Sequence, residues 1–285
     1  PALNTDFIKE SYNVKSEEFE INDVVRQTKE SGILINATTI RNNISSNLID
    51  FKFENFSDIK VLSDGFDIQE AIESSYNLNG KENIIIIVRS NKRANQYNQQ
   101  IRKTILSHEN KVCVGDLLMI TKNNYFWTSP DSEIPFLANG DIIQILEIFS
   151  IKELYGFEFA EVKIKMVDYV DQPTFDTVII LNTLDLDTPS LSYEQSNLLY
   201  NEVQNDYIKI KSKYQRFLKT KENPFFNALQ VKFSYAITCH KAQGGQWPVV
   251  FIEKPYLKDG SNIDYLRWLY TAVTRAESKL YLIGF

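Results

Sequence analysis

Two short stretches near the end of the chain carry residue types that bind phosphate groups. They are the glycine stretch, His240-Lys241-Ala242-Gln243-Gly244-Gly245, and the arginine stretch, Tyr270-Thr271-Ala272-Val273-Thr274-Arg275-Ala276. Glycines let a main chain approach a ligand closely. An arginine stays charged and can hold a phosphate group through two hydrogen bonds. Residues of these types could contact a phosphate group, although neither stretch is specific alone.

Apolar runs beside both stretches predict strands of a parallel sheet. The predicted strands cover 233–237, 249–252 and 279–283. Between the last two, apolar residues recur over 266–273 at the i, i+3, i+4, i+7 spacing of an amphipathic helix. Strands that alternate with helices form parallel α/β sheets, which place ligand-binding groups at strand ends. We therefore expect both stretches at strand ends of one sheet.

A third candidate phosphate site follows five consecutive apolar residues at 84–88, which suit a strand buried on both faces of a parallel sheet. Ser90 or Asn91 is expected to cap the helix that follows. Cations cluster around this junction: Arg89, Lys92, Arg93, Arg102 and Lys103. A helix N-terminus with nearby cations binds phosphate groups. The alternative is an ordinary solvated helix face.

Further helices are expected upstream. Ser31 can cap a helix whose apolar residues run from Ile33 to Ile44 at a 3.6-residue period, and a short helix is expected over 67–76. Arg26 and Gln27 lie in the connection before the first of these helices. Without the motifs later in the chain, Arg26 would be interpreted as a surface residue of a loop.

The glycine and arginine stretches, in this order and each against a strand, resemble motifs V and VI of superfamily 1 helicases, in particular the RecD-like (1B) branch. The resemblance covers about residues 18–285 and implies a RecA-like second motor domain. It implies that the parent protein hydrolyses ATP, moves 5′ to 3′ along single-stranded DNA and unwinds duplex; an exonuclease V-like protein is one candidate parent.

The resemblance also assigns roles to individual residues. Arg275 and Arg26 match arginines that reach the terminal phosphate of the nucleotide, and Gln27, Gly244 and Gln246 match nucleotide-binding positions. The family has Glu at this ribose contact where this chain has Gln246, so a hydrogen bond stays possible but the charge is absent. Arg275 taken alone is a helix C-terminal cation favoured by the macrodipole. The positions expected to hold single-stranded DNA are Ser90, Asn91, Lys92, Arg93, Asn98, Arg102, His240 and Lys241.

From Lys111 the pattern changes to short strands with turn residues between them, among which Asn139-Gly140 is a strong hairpin signal. Four or more such strands predict a small β-barrel. The sequence of this segment resembles that of the SH3-like barrel inserted into RecD-like motor domains. The predicted organisation is motor domain over 1–110, barrel over 111–190, and helical return with the rest of the motor domain over 191–285. Tyr125, Phe126 and Trp127 are expected to pack in a core rather than stack on bases.

Residues 191–222 are predicted to be helical and are locally basic. The cations are Lys209, Lys211, Lys213, Arg216, Lys219 and Lys221. A solvated helix face is the preferred interpretation, and an arm that flanks DNA is the alternative.

The chain lacks two parts that ATP hydrolysis requires. It contains no G-x-x-x-x-G-K-[ST] phosphate loop and no apolar strand ending in Asp-Glu to bind magnesium. By resemblance both belong to an upstream domain, and the start at Pro1 without Met suggests a truncated or processed piece. We therefore expect ATP and Mg²⁺ to be held mainly by that P-loop domain, with no cofactor and no ATPase activity in these residues alone. The expected partners are this domain and single-stranded DNA.

Composition narrows the other possibilities. Net charge is −6 and the isoelectric point is about 5.2, which argues against a protein that coats nucleic acid without specificity. No run of eighteen apolar residues predicts a membrane span. Two cysteines, Cys113 and Cys239, fit a reducing cytoplasm and, with two histidines at unrelated spacings, make a zinc site improbable.

Two alternatives to a motor half stay open from the residues. One is a non-catalytic module that binds nucleic acid, and the other is a degenerate motor half that serves as a scaffold for proteins. A nuclease is disfavoured because no cluster of carboxylates with lysine is found. A thiol protease is disfavoured because Cys239 and His240 are adjacent and cannot readily adopt catalytic geometry.

Overall fold

A computed structural model describes residues 5–15, 17, 31–129, 132, 134–169, 171–258 and 260–285. The helices of these residues are α1 (Thr5–Tyr12), α2 (Gly32–Ser45), α3 (Gly65–Asn79), α4 (Asn91–Thr104), α5 (Tyr193–Asn205), α6 (Lys213–Glu222) and α7 (Ile263–Val273). The strands are β1 (Ile59–Leu62), β2 (Ile84–Val88), β3 (Leu117–Ile120), β4 (Ile142–Leu154), β5 (Phe157–Met166), β6 (Phe175–Ile180), β7 (Leu229–Phe233), β8 (Ala236–Thr238), β9 (Trp247–Glu253) and β10 (Ala276–Ile283).

Five strands form a parallel sheet in the order β1-β10-β9-β2-β8. All five residues of β2 are buried, as their continuous apolar run predicted. Helices α2 and α7 pack on one face of the sheet, and α3 and α4 pack on the other. The prediction of a parallel α/β domain is confirmed.

The predicted helix starts are also confirmed. Ser31 Oγ accepts a hydrogen bond from the Leu34 amide, and Ser90 Oγ accepts one from the Arg93 amide at 3.2 Å. Ser90, not Asn91, therefore caps α4, because its hydroxyl satisfies an amide that the first turn leaves without a partner.

Strands β3 to β7 form a closed barrel, so the inserted barrel is confirmed as well. Its fifth strand, β7, comes after α5 and α6, so the barrel is not contained within 111–190. Helix α5 packs on the barrel through Leu199 and Val203. The helical segment is thus an insertion between two barrel strands, not the return to the sheet that the sequence suggested.

The predicted strand 233–237 is two strands, β7 of the barrel and β8 of the sheet. The side chain of Asn98 on α4 holds the break between them. Its amide group donates to the Phe233 oxygen at 3.1 Å and to the Ala236 oxygen at 2.9 Å, and its Oδ1 accepts from the Ala236 amide at 2.7 Å. These bonds take up main-chain groups that the crossing between two sheets would otherwise leave buried without partners.

One turn further along α4, Arg102 forms an ion pair with Asp116 just before β3. Their side chains are 3% and 0% exposed, and both carboxylate oxygens accept from the guanidinium at 3.0 Å. Tyr235, in the link between β7 and β8, donates to the same carboxylate at 3.0 Å and accepts from the Leu117 amide. Helix α4 therefore ties the barrel to the sheet through two buried polar side chains.

In the part of the chain that the structure describes, no helix has the length and apolar character needed to cross a lipid bilayer.

Replacing Arg102 with Met is expected to lower the free energy of unfolding by about 3–5 kcal/mol, because Asp116 would keep its buried charge without the cation. Denaturant unfolding measured by circular dichroism tests this. Lys103→Met, at the exposed neighbouring position, is the control and should change stability by less than about 0.5 kcal/mol. Equal effects of the two substitutions would contradict the structural role of Arg102.

Candidate functional site

A cleft of about 1030 Å³ separates the amino edge of the parallel sheet from the barrel. The sheet side is formed by the segment that enters β2 and by the glycine stretch with Gln246 and Trp247. The barrel side includes Met119, Gly140 and Asp168. The cleft therefore lies where the parallel sheet meets the barrel, and ligand sites are common where two such parts of a fold meet.

The glycine stretch begins at the carboxyl end of β8 and reaches the amino end of β9. Gly244 has φ of 89°, a conformation that residues with a Cβ adopt only under strain. A Cβ on Gly245 would lie 2.3 Å from the ring of Trp247. The two glycines are thus required for different reasons, one by the backbone and one by close packing.

Two lysines and a histidine line this cleft. Lys241 Nζ donates to Asn139 Oδ1 on the barrel, and Lys81 Nζ donates to the Gly115 oxygen. Burial lowers the pKa of both lysines. An anion that enters the cleft would favour their charged forms. His240 is exposed at the same surface.

Arg275 lies next to the glycine stretch at the amino edge of the sheet. Its side chain is half-buried and donates from Nη1 to the Gly245 oxygen at 3.0 Å and from Nε to the Thr271 oxygen at 3.0 Å. Nη2 donates to Thr274 Oγ1 at 3.1 Å. The guanidinium is therefore oriented by its own domain and contacts the glycine stretch directly, although Arg275 does not itself line the cleft.

The other nucleotide-binding candidates divide into two groups. Gly244 and Gln246 line the cleft, and Gln246 is exposed there. Arg26 and Gln27 lie outside the residues that the structure describes, so their roles stay predictions.

The candidates around β2 and α4 lie at the opposite, carboxyl edge of the sheet. Lys92 is exposed, whereas Arg93 pairs with Glu253 at the end of β9, where Nε lies 2.9 Å and Nη2 2.5 Å from Oε1. The hydrogen bonds that Arg93 donates to Glu253 raise the pKa of Arg93, and the carboxylate compensates its charge. Asn91 and Lys241 line a second, smaller cavity together, so Lys241 lies between the two edges.

Asn98 and Arg102 were predicted to hold DNA, and the structure contradicts this for both. Their exposures are 2% and 3%, and their polar atoms bind the protein interior. The spacing of Ala94, Tyr97, Asn98 and Ile101 marks the buried face of α4, and this periodicity was the signal that sequence reasoning missed.

Some groups come together without any sequence signal. Lys81 enters the cleft from the turn before β2, and Glu253 meets Arg93 from 160 positions away.

Tyr125 is 66% exposed and Phe126 38%, while Trp127 packs on the barrel and donates from Nε1 to the Asn227 oxygen. The expected core role therefore holds for Trp127 but not for Tyr125.

Among the described residues, His108, Cys113 and Asp116 bring potential metal ligands within 4.8 Å of one another. The Arg102 guanidinium binds both oxygens of Asp116 and lies 3.8 Å from Cys113 Sγ. A metal cation would have to displace this buried cation, so the cluster fits a structural ion pair better than a metal site.

Cys239 has no nucleophilic character. It is 3% exposed, and its Sγ lies 3.4 Å from the Trp268 oxygen. Burial raises its pKa to about 12, although the nearby positive charge of Arg275 acts to lower it. The thiol therefore stays protonated at neutral pH, which agrees with the rejection of a thiol protease.

Residues 233–283 match the family model described as UvrD-like helicase C-terminal domain. The match includes both the glycine stretch and the arginine stretch but covers less than half of the chain. No curated protein matches the chain.

Two solved structures are similar over 92% of this chain. A crystal structure of the Pif1 helicase from Candida albicans shares 11% identity at a TM-score of 0.36, with 55% of that chain covered. The Pif1 helicase from Bacteroides in complex with ADP-AlF3 and ssDNA shares 14% identity at a TM-score of 0.37, with 51% covered. The chain thus spans about half the length of these proteins. At these scores the similarity assigns no activity to the chain.

Alkylation by iodoacetamide near pH 8 is expected to modify Cys113 but leave Cys239 unmodified in the folded protein. A rise of Cys239 from its ordinary pKa to about 12 reduces its thiolate about a thousand-fold, before burial limits access. Peptide mass spectrometry measures both sites, and unfolding in denaturant is the control that should make Cys239 reactive. Rapid labelling of Cys239 in the folded protein would contradict this prediction, because it would show that the interior around the thiol opens to solvent.

Proposed function

We propose that this chain is the C-terminal motor half of an ATP-dependent superfamily 1 DNA helicase of the RecD-like branch, which moves 5′ to 3′. The observation that carries the proposal is the hydrogen bond from Arg275 to the Gly245 oxygen. It joins the two stretches that carry the family resemblance at one edge of the sheet. The match of residues 233–283 to a UvrD-like helicase C-terminal domain supports the coarser part of this assignment, the C-terminal half of a superfamily 1 helicase.

In this proposal Arg275 senses the nucleotide that a P-loop domain holds. An arginine from a second domain neutralises charge that builds on the transferred phosphoryl group, so domain closure and hydrolysis depend on each other. The guanidinium now binds oxygens of its own domain. On closure it exchanges part of these bonds for phosphate oxygens, and the glycine stretch shifts with it.

The chain itself offers little to hold the rest of ATP. Gly244 and Gln246 can contact the nucleotide from the cleft, but the sequence has no phosphate loop and no strand ending in Asp-Glu. ATP and Mg²⁺ are therefore held mainly by the P-loop domain, which is the proposed partner within the same protein.

Single-stranded DNA is the proposed second partner. Lys241 and His240 at the cleft, with Ser90, Asn91 and Lys92 at the carboxyl edge, supply cations and polar groups that suit a phosphate backbone. Arg93 contributes less than predicted because Glu253 compensates its charge.

Residues 1–285 alone should release no phosphate from ATP, with or without single-stranded DNA, because the phosphate-binding loop is absent. A coupled phosphate-release assay on the purified chain measures this. Turnover at an ordinary motor rate, stimulated by DNA, would refute the assignment as a half of a motor.

In the protein that joins this chain to a P-loop domain, Arg275→Ala should lower ATP turnover about a thousand-fold while nucleotide binding largely survives. Turnover and the affinity for a fluorescent ATP analogue are both measured. The control is Arg267→Ala on α7, the helix that ends just before Arg275; its side chain is 64% exposed and pairs with Asp264 one turn away. Weaker binding with normal turnover at saturation would argue against a sensor role.

A further inference from the structure

Helix α6 and the connector before it present apolar side chains to solvent. The exposed fractions are 66% for Ile208, 69% for Tyr214, 40% for Phe217 and 39% for Leu218. The only buried residue of α6 is Thr220. A surface helix normally turns its apolar stripe inward, so this helix has the reverse arrangement. Such an exposed patch marks an interaction site.

The same segment is strongly basic. From 207 to 221 the chain has six cations and no acidic residue, although its net charge is −6. In the described part of the chain, an ion-pair partner is found for Lys219 alone among these cations, and that partner is Glu222 one turn away on the same helix. Lys209, Lys211 and Lys213 are exposed. The patch therefore combines an apolar surface with uncompensated positive charge.

The arm, defined as residues 193–222, is held rigidly on the barrel. Leu199 and Val203 pack against barrel strands, and Ser192 begins α5 with a capping box. Asn227, shortly before β7, donates from Nδ2 to the Lys221 main-chain oxygen at 2.7 Å and holds the end of α6 on the barrel. No described residue of the arm lines the cleft. The arm is thus a preformed surface that is separate from the candidate site.

We propose that the arm binds single-stranded nucleic acid, with Tyr214 and Phe217 stacking on bases while Lys211, Lys213 and Lys221 bind the phosphate backbone. Single strands expose π-faces beside a regular line of negative charge, which is the chemistry that alternating aromatic and basic side chains fit. An acidic protein would match the charge but would not require the aromatic rings. A duplex hides its bases, so we expect a preference for single strands.

The test uses residues 1–285 and a fluorescein-labelled oligothymidylate of about 20 nucleotides, followed by anisotropy over a range of salt concentrations. Tyr214→Ala with Phe217→Ala should weaken binding about tenfold or more, because each stacked base contributes about 1–3 kcal/mol. Phe66→Ala with Tyr256→Ala removes two exposed aromatic rings outside the arm and is the matched control. It should leave affinity unchanged.

Charge is tested separately from stacking. Lys211→Gln with Lys213→Gln should reduce the slope of log Kobs against log salt by about 1.4, since each phosphate contact of a single strand contributes about 0.7. Lys60→Gln with Lys258→Gln, at exposed positions outside the arm, should not change the slope. A crosslink from 5-iodouracil in the oligonucleotide to the peptide that contains Tyr214 would locate the contact directly.

Three outcomes separate the possibilities. Unchanged affinity and slope in the arm variants, with weaker binding in Lys241→Gln, would overturn the arm proposal and leave the proposed function intact. Weaker binding in the arm variants alone would support the arm and count against DNA binding at the cleft. Displacement of the oligonucleotide by polyglutamate at equal charge, with no effect of the aromatic substitutions, would identify an acidic protein as the partner and overturn the proposal.

Discussion

The buried carboxylate of Asp116 is the constraint on which the rest of this structure depends. It accepts hydrogen bonds from Arg102 on α4, from Tyr235 between β7 and β8, and from the Cys113 amide in the connection that enters β3. A carboxylate with no exposed surface is stable only when its partners are in place, because an unpaired buried charge is strongly unfavourable. The position of the barrel relative to the sheet is therefore set by electrostatics as well as by apolar contact. The contacts of Asp116 therefore also determine the shape of the cleft between the barrel and the sheet.

Helix α4 shows why the architecture was more predictable than the site. Its start followed from Ser90 and the apolar strand before it, since capping and burial are local properties of the sequence. The burial of Asn98 and Arg102 depends on residues that are distant in the sequence. Polar residues on an apolar stripe are buried only if distant groups satisfy them, here Ala236 and Asp116. Because the strand signal continued from Phe233 into Ala236, the sequence also hid the point where the chain leaves the barrel for the sheet.

The candidate site depends on a contact of the same long-range kind. Gly245 and Arg275 are thirty positions apart, and no periodicity or composition places the guanidinium on that oxygen. Resemblance to a family suggested that the two stretches act together, whereas the hydrogen bond, the exposed Gln246 and the entry of Lys81 into the cleft needed coordinates. The pairing of Arg93 with Glu253 shows the opposite case, in which a cation that looks available in the sequence is compensated in the fold.

Charge distribution unites the cleft and the arm. If the chain binds nucleic acid as proposed, its net charge of −6 opposes contact over most of the surface, so binding would be confined to places that present cations. In the cleft these cations are Lys241 and Lys81, whose pKa burial lowers and whose charged forms an incoming phosphate group would favour, beside the acidic Glu82 and Asp168. The arm has six cations in fifteen residues, most of them exposed, and its exposed rings would add the affinity that screened surface charges lack. An acidic body with one strongly basic arm and two lysines in the cleft would therefore favour contact with a strand at defined positions over coating of nucleic acid.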